Sequence, residues 1–294
     1  MRVTPSIQTR NFLENLNLLK SRMDKAQEEV SSGKTVNRLS DGPFAAAQSS
    51  EIGALVSANE QYISDNKQLR SKLELTDSVL QFVNKSLDGA KALAAQALSG
   101  TTTPESRDAL ATAVEGARQE VLSAANTQFN GASLFAGALS RTQPFVDSAG
   151  VVTYQGNDEP VYQRVDRTSV IQTNVTGQDL FIDPPSVFSS LSNLKTAILN
   201  NDTASVRAEL SNLEAISSRV NTTAATFGNK MKMLDDLQSG VLDQNRALQA
   251  RVSDLTDANL VESISKLQLA GQAIDVSLKA QAQVQQLSLM DFLR

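Results

Sequence analysis

Histidine and cysteine are both absent from this chain of 294 residues. A Ser-His-Asp triad, a histidine general base and a histidine-ligated metal are thereby excluded, as are a thiolate nucleophile, a zinc–cysteine site and a disulfide. Tryptophan is missing too, and aromatic residues make up only 4%. Leu, Ala, Val and Ile must therefore supply the packing, as they do in long helical assemblies. No basic run exists: 27 Lys and Arg are interspersed with 32 Asp and Glu for a net charge of −5. That balance argues against nucleic acid or an anionic membrane as a partner. The longest unbroken apolar runs are four residues, Phe44–Ala47 and Ala92–Ala95, where a transmembrane helix needs roughly twenty. The first residues carry no apolar stretch like the core of a secretory signal. The expectation is a chain that is cytoplasmic or leaves the cell by a route needing no cleaved leader. At 40% apolar residues there is enough material for a core, and the length suggests about two domains.

What is present is helical periodicity at both ends. Phe12, Leu16, Leu19, Met23, Ala26 and Val30 follow the alternating four–three spacing of a coiled-coil seam, with charged residues between them, and Ser31-Ser32-Gly33 closes the segment. Leu260, Ile264, Leu267, Gly271, Ile274 and Leu278 repeat that spacing, and a second stripe includes Ala273, Val276 and Ala280. No charge occurs from Ala280 to Met290, where glutamines fill the polar positions. An uncharged helix with two apolar stripes fits one packed on several sides. An antiparallel pairing brings the two seams together. One such hairpin buries too little to repay the ordering of its residues, so the ends are expected to be disordered in the free monomer and to fold on assembly. The assembly interface is placed on Phe12, Leu16, Leu19, Met23, Val30, Leu260, Ile264, Leu267, Ile274 and Leu278.

Between the ends, Pro43 suits a first helical turn, and a long helix is predicted from it to about Ser99, with Gly100 as its stop. Thr102 and Glu105 fit a capping box, with Thr103 as a competing N-cap before Pro104. The helix that follows runs to about Ala125. After Pro184-Pro185 a short helix reaches Leu199, and another starts near Asn201-Asp202 and runs, breaks allowed, towards Leu255. From about Gln143 to Asp183 β-branched residues alternate with polar ones between turn signals, which predicts two or three hairpins. The expected fold class is mainly α with a small β insert: a long antiparallel helical hairpin of the terminal segments, with the β domain at its tip. The expected domains are 1–37 with 256–294, a helical rod of 38–140 with 184–255, and an insert of 141–183.

Catalytic patterns dissolve on inspection. Ser31-x-x-Lys34 with Ser64-Asp65-Asn66 copies two motifs of penicillin-recognising enzymes, but Lys34-Thr35 is followed by Val36, and Ser-x-x-Lys recurs at Ser192 and Ser263. Asp235-Asp236 and Glu28-Glu29 are adjacent pairs that point to different sides of a helix, so neither makes a metal site. No Gly-rich phosphate loop occurs, and the sequons at Asn174 and Asn221 carry little weight. Neither a catalytic residue, a cofactor nor a metal is expected.

Several stretches resemble the flagellin superfamily. Asn126-Thr127-Gln128-Phe129-Asn130-Gly131, followed by Leu134-Phe135-Ala136-Gly137, resembles the turn that ends the family's second helix. Gly33-Lys34, Asn37 and Ser40-Asp41-Gly42-Pro43-Phe44 resemble the loop between its terminal and long helices, with Gly42 where members usually carry a second acidic residue. The C-terminus ending in Met290-Asp291-Phe292-Leu293-Arg294 is similar as well. Met1-Arg2-Val3-Thr4, Tyr154-Gln155-Gly156-Asn157 and Asn174–Phe181 resemble the branch that joins hook to filament more than filament flagellins. The resemblance implies a self-assembling building block. Such proteins are exported unfolded through the flagellar type III apparatus. They form a homo-oligomeric ring between a hook-side junction protein and flagellin, aided by an export chaperone, and their terminal helices line the tube. It marks Asn126, Thr127, Phe129, Asn130 and Gly131 as a structural turn and Asp41 and Pro43 as the linker loop. Two other readings stay open: a short filament flagellin, and a cytoplasmic coiled-coil scaffold or signalling protein.

Overall fold

A computed structural model describes residues 5–99 and 103–292. Six helices are present: α1 Pro5–Ser32, α2 Pro43–Ala97, α3 Pro104–Ala125, α4 Val187–Leu199, α5 Thr203–Thr256 and α6 Leu260–Phe292. Six short strands pair as three antiparallel hairpins: β1 Gln128–Phe129 with β2 Ala132–Ser133, β3 Phe145–Ser148 with β4 Val151–Tyr154, and β5 Tyr162–Arg164 with β6 Val170–Gln172. The class is mainly α with a small β insert, as the pattern predicts. One compact unit comprises residues 1–58 and 243–294; the other is 59–242.

Local chemistry sets the helix ends. Gly33, at φ 70°, stops α1 in the left-handed conformation that costs a glycine little. Pro43 and Pro104 open α2 and α3, where a missing N–H costs nothing. The cap of α3 is Thr103, whose side chain accepts from the Ser106 N–H at 3.2 Å. The Thr102–Glu105 box is thus replaced by its competitor, because Pro104 fixes the first helical position directly after Thr103; Gly100 and Thr102 lie outside the described residues. Asp202 caps α5 through the Ala204 and Ser205 N–H groups, and the helix then continues without a break to Thr256.

In the unit 59–242, α2 contributes a buried line from Leu69 through Leu73, Leu80, Val83 and Leu87 to Ala94, at helical spacing. Leu110, Val114 and Val121 of α3, Leu191 and Leu194 of α4, and Leu213, Ile216 and Val220 of α5 belong to the same core. The few aromatics are concentrated where the hairpins meet these helices. Phe145 on β3 lies 5.3 Å from Phe181, 5.3 Å from Tyr154 and 5.5 Å from Phe188 on α4, centroid to centroid, and Phe135 meets Phe181 edge-on. Gly177 enters this knot so closely that a Cβ would lie 2.6 Å from the rings of Phe145 and Tyr154. Phe181 belongs to a π-helical turn, Gln178–Ile182, which the sequence pattern does not announce.

One ionic group ties three elements together. Arg118 on α3 is buried and places a guanidinium nitrogen 2.7 Å from both Glu115 Oε1 and Asp147 Oδ2 on β3, while Lys195 on α4 reaches Glu115 Oε2 at 3.2 Å. The Arg118 hydrogen bond holds the Glu115 carboxyl below its usual range. A depressed carboxyl stabilises the fold above its unfolded pKa and loses that contribution as pH falls through the folded value. Glu115→Ala is therefore expected to lower unfolding free energy by about 1–3 kcal/mol at pH 7. The difference should shrink as pH falls below about 4.3, the ordinary glutamate value. Urea titrations at pH 7 and pH 3.5 check both statements.

Candidate functional site

The terminal unit is built on α1 and α6, which run antiparallel. Glu29 of α1 lies beside Ser263 early in α6, whereas Leu19, ten residues earlier, shares a groove with Ala273. The α1 seam faces its partner as expected: Ala26 is buried, and Phe12, Leu16, Leu19, Met23 and Val30 are half-buried. The α6 side differs from the expected seam-to-seam match. The line that meets α1 is Ser263, Leu267, Ala270, Ile274, Ser277 and Gln281, all buried or half-buried. Of the expected stripe, Leu267 and Ile274 join that line, while Leu260, Ile264 and Leu278 are exposed. At 100° per residue, α6 is turned by about 60° from the pairing that apolarity alone selects.

A polar contact lies on this line. Ser263 is buried and donates its hydroxyl to Glu29 Oε2 at 2.9 Å, and Glu29 is itself buried. A buried carboxylate needs such a donor. Small residues, Ala26 and Ala270, let the backbones approach beside it. This turn leaves apolar surface on both flanks of α6: Leu260, Ile264 and Leu278 on one, and Leu269, Val276 and Val284 on the other. Beside the second flank a groove of about 560 Å³ opens, floored by Leu19, Leu269 and Ala273 and rimmed by Arg22, Lys25 and Lys266. Lys266 is paired with Glu262 at 2.8 Å.

The loop between α1 and α2 is clasped to the link between α5 and α6. Thr35 N–H donates to the Thr256 carbonyl at 2.7 Å, Ala258 N–H donates to the Gly33 carbonyl at 2.8 Å, and Lys34 bridges Asp257. Asp41 Oδ2 accepts from the N–H groups of Arg38 (2.8 Å) and Asn37 (3.1 Å), so the linker aspartate is the internal brace of the loop. The Arg38 N–H lowers its pKa. Pro43 starts α2, and Leu39 and Phe44 on either side are strongly exposed.

The family turn has a structural task in the other unit. Asn126 caps α3 and exchanges two hydrogen bonds with the Phe145 backbone, donating to its carbonyl at 2.9 Å and accepting from its N–H at 3.0 Å. The Thr127 carbonyl accepts from Leu134 N–H. Asn130 and Gly131, at φ 51° and 78°, form the two-residue turn between β1 and β2 that left-handed residues favour, and Phe129 packs on the core.

The α1 seam, the linker and the turn can be read from spacing and residue type. It missed the Glu29–Ser263 bond, the Thr35–Thr256 clasp and the second exposed flank. A weak signal existed, since Glu29 interrupts the apolar neighbourhood of Ala26 and Val30. Met1–Thr4 lie outside the described residues, as do the side chains of Met290–Arg294. The enzyme-like patterns are spent locally: Ser31 donates to the Glu28 carbonyl and Asn66 to that of Val165. Asp235 pairs with Arg70 and Glu28 with Arg38. Among the described residues no helix is long and apolar enough to cross a membrane, and no acidic group is arranged to hold a metal ion.

Residues 4–140 match the family model of the bacterial flagellin N-terminal helical region. The chain is 29% identical over 290 residues to flagellar hook-associated protein 3 of Escherichia coli K12, covering 90% of this chain and 91% of the relative. It is 26% identical over 319 residues to the Salmonella typhimurium protein of that name, covering all of both chains. Its fold is similar to a solved structure of a flagellar hook-associated protein from Vibrio parahaemolyticus, with a TM-score of 0.70 and 22% identity over 74% of this chain and all of that one. The chain is thus similar to proteins of the flagellin superfamily, and the relatives that match it along nearly all of its length include hook-associated protein 3 of two bacteria.

Replacing Asn126 by Ala leaves the Phe145 N–H and carbonyl without their side-chain partner. The expected cost is about 1–3 kcal/mol of unfolding free energy, with faster amide exchange in β3 and β4 than in α2. Hydrogen exchange read by mass spectrometry measures it.

Proposed function

We propose that the protein is a structural subunit of the bacterial flagellum, forming the ring at the junction between hook and filament by helix packing. The observation that carries this reading is the α1–α6 pair. A two-helix pair that covers α6 along one line, and leaves an apolar stripe on each side of that line, is a surface that neighbouring copies complete. The type of its relatives selects the junction as the place.

The work is mechanical rather than catalytic. Residues 1–37 and 256–294 form the assembly part. Phe12, Leu16, Leu19, Met23, Val30, Leu267 and Ile274 hold the pair together, and the exposed Leu260, Ile264 and Leu278 meet adjacent copies. Residues 38–140 and 184–255 serve as the rod and 141–183 as the insert. The partners are further copies of this chain, a hook-side junction protein, flagellin and an export chaperone. The chain reaches the cell exterior through the flagellar export apparatus.

Deletion of residues 280–294 is expected to leave the unit 59–242 folded, with unchanged cooperative melting, while no filament grows. Normal filaments from the deleted chain overturn the reading. Electron microscopy of labelled flagella should place the protein at the hook end alone, and long filaments built of this chain by itself indicate a short flagellin instead. In dilute monomer, far-ultraviolet circular dichroism should show less helix than α1 to α6 together supply, because α1 and α6 order on assembly.

A further inference from the structure

The strongest apolar stripe on α6 faces α1 only in part: Leu267 and Ile274 lie on the contact line, and Leu260, Ile264 and Leu278 do not. Leu260, Ile264, Leu267, Gly271, Ile274 and Leu278 have the spacing of a coiled-coil seam, and so does the seam of α1. Two such stripes bury the most apolar area when they meet each other. Instead, the contact line on α6 contains Ser263, Ser277 and Gln281, while Leu260, Ile264 and Leu278 remain outside. The only charged side chain buried between α1 and α6 among the described residues is Glu29, and its partner is Ser263. A buried carboxylate without that hydroxyl loses its hydrogen bond inside the interface, so each rotation of α6 that takes Ser263 away is penalised. The clasp of Thr35 to Thr256 and of Ala258 to Gly33 lies next to this contact and fixes the height at which the two helices meet. Height and rotation are therefore set at one end of the pair, by polar groups.

We infer that Glu29 and Ser263 are specificity-determining positions for assembly: their hydrogen bond withholds Leu260, Ile264 and Leu278 of the best apolar stripe of α6 from its own α1 and reserves them for neighbouring copies. This inference rests on the assembly role proposed above and explains how the chain avoids satisfying itself. It is a single polar contact at a core position selecting one of two packings, at a cost in the stability of the isolated pair. The marginal helix pair of the free chain and the open flanks then have one origin.

The test replaces the key by apolar groups in the full chain, Glu29→Leu with Ser263→Ala. With no polar contact to keep, α6 turns its seam stripe onto α1. Helicity of the dilute monomer should rise above that of the parent chain. Incorporation into flagella, measured by immunoblot of sheared appendages from cells lacking their own copy, should fall by about tenfold or more. Glu29→Gln, which keeps an acceptor for the Ser263 hydroxyl, should match the parent in both measurements. The inference is overturned if the double variant assembles as the parent does, if it stops assembling without gaining helicity, or if Glu29→Gln fails to assemble. Absence of the unsubstituted chain from flagella would instead defeat the assembly role itself, so the two failures are told apart by the parent alone.

Discussion

Two helices from opposite ends of the chain share one contact line, and that line does not cover them. Every other feature of the terminal unit follows from this shortage of burial. Each α1 seam residue is half-buried, save Ala26, which is buried. Apolar surface on both sides of α6 has no cover within the chain. An ordinary globular protein removes such surface from water, because burial is the dominant favourable contribution to folding. In the proposed assembly, contacts between copies supply that contribution.

The unit 59–242 is organised by the opposite logic. Four helices bury continuous apolar lines against one another, and the hairpins are fastened onto them by an aromatic knot, an asparagine that answers both polar groups of Phe145, and a buried arginine with two carboxylates. Each of these anchors bridges a helix to a strand. The β insert has too few strands and residues to form a core by itself, so its order is borrowed from the helices beneath.

Much of this was legible because proline, glycine and periodicity speak locally. Pro43, Pro104 and Gly33 mark helix ends wherever the rest of the chain goes, and the alternating stretches at 151–155, 161–165 and 168–173 contain β4, β5 and β6. The Asn130-Gly131 turn was seen as a turn, yet the hairpin of β1 and β2 around it was not, since two-residue strands carry no alternation to read. The aromatic knot joins Phe135, Phe145, Tyr154, Phe181 and Phe188, whose spacing has no period. Its Gly177 is needed only because of distant rings. The facing of α6 is not legible in the pattern, because apolar spacing gives no weight to a buried hydrogen bond such as that of Ser263 to Glu29.

The clasp that joins Thr35 to Thr256 has a topological effect. Everything from Val36 to Leu255 leaves and returns through two feet that stand side by side, so this stretch is one large closed excursion from the terminal helices. Closing an excursion of that size costs only slightly more when residues are added to it. Insertions or exchanges within it therefore leave the footing of the ends undisturbed, and that stretch is free to diversify while the clasp keeps a single geometry.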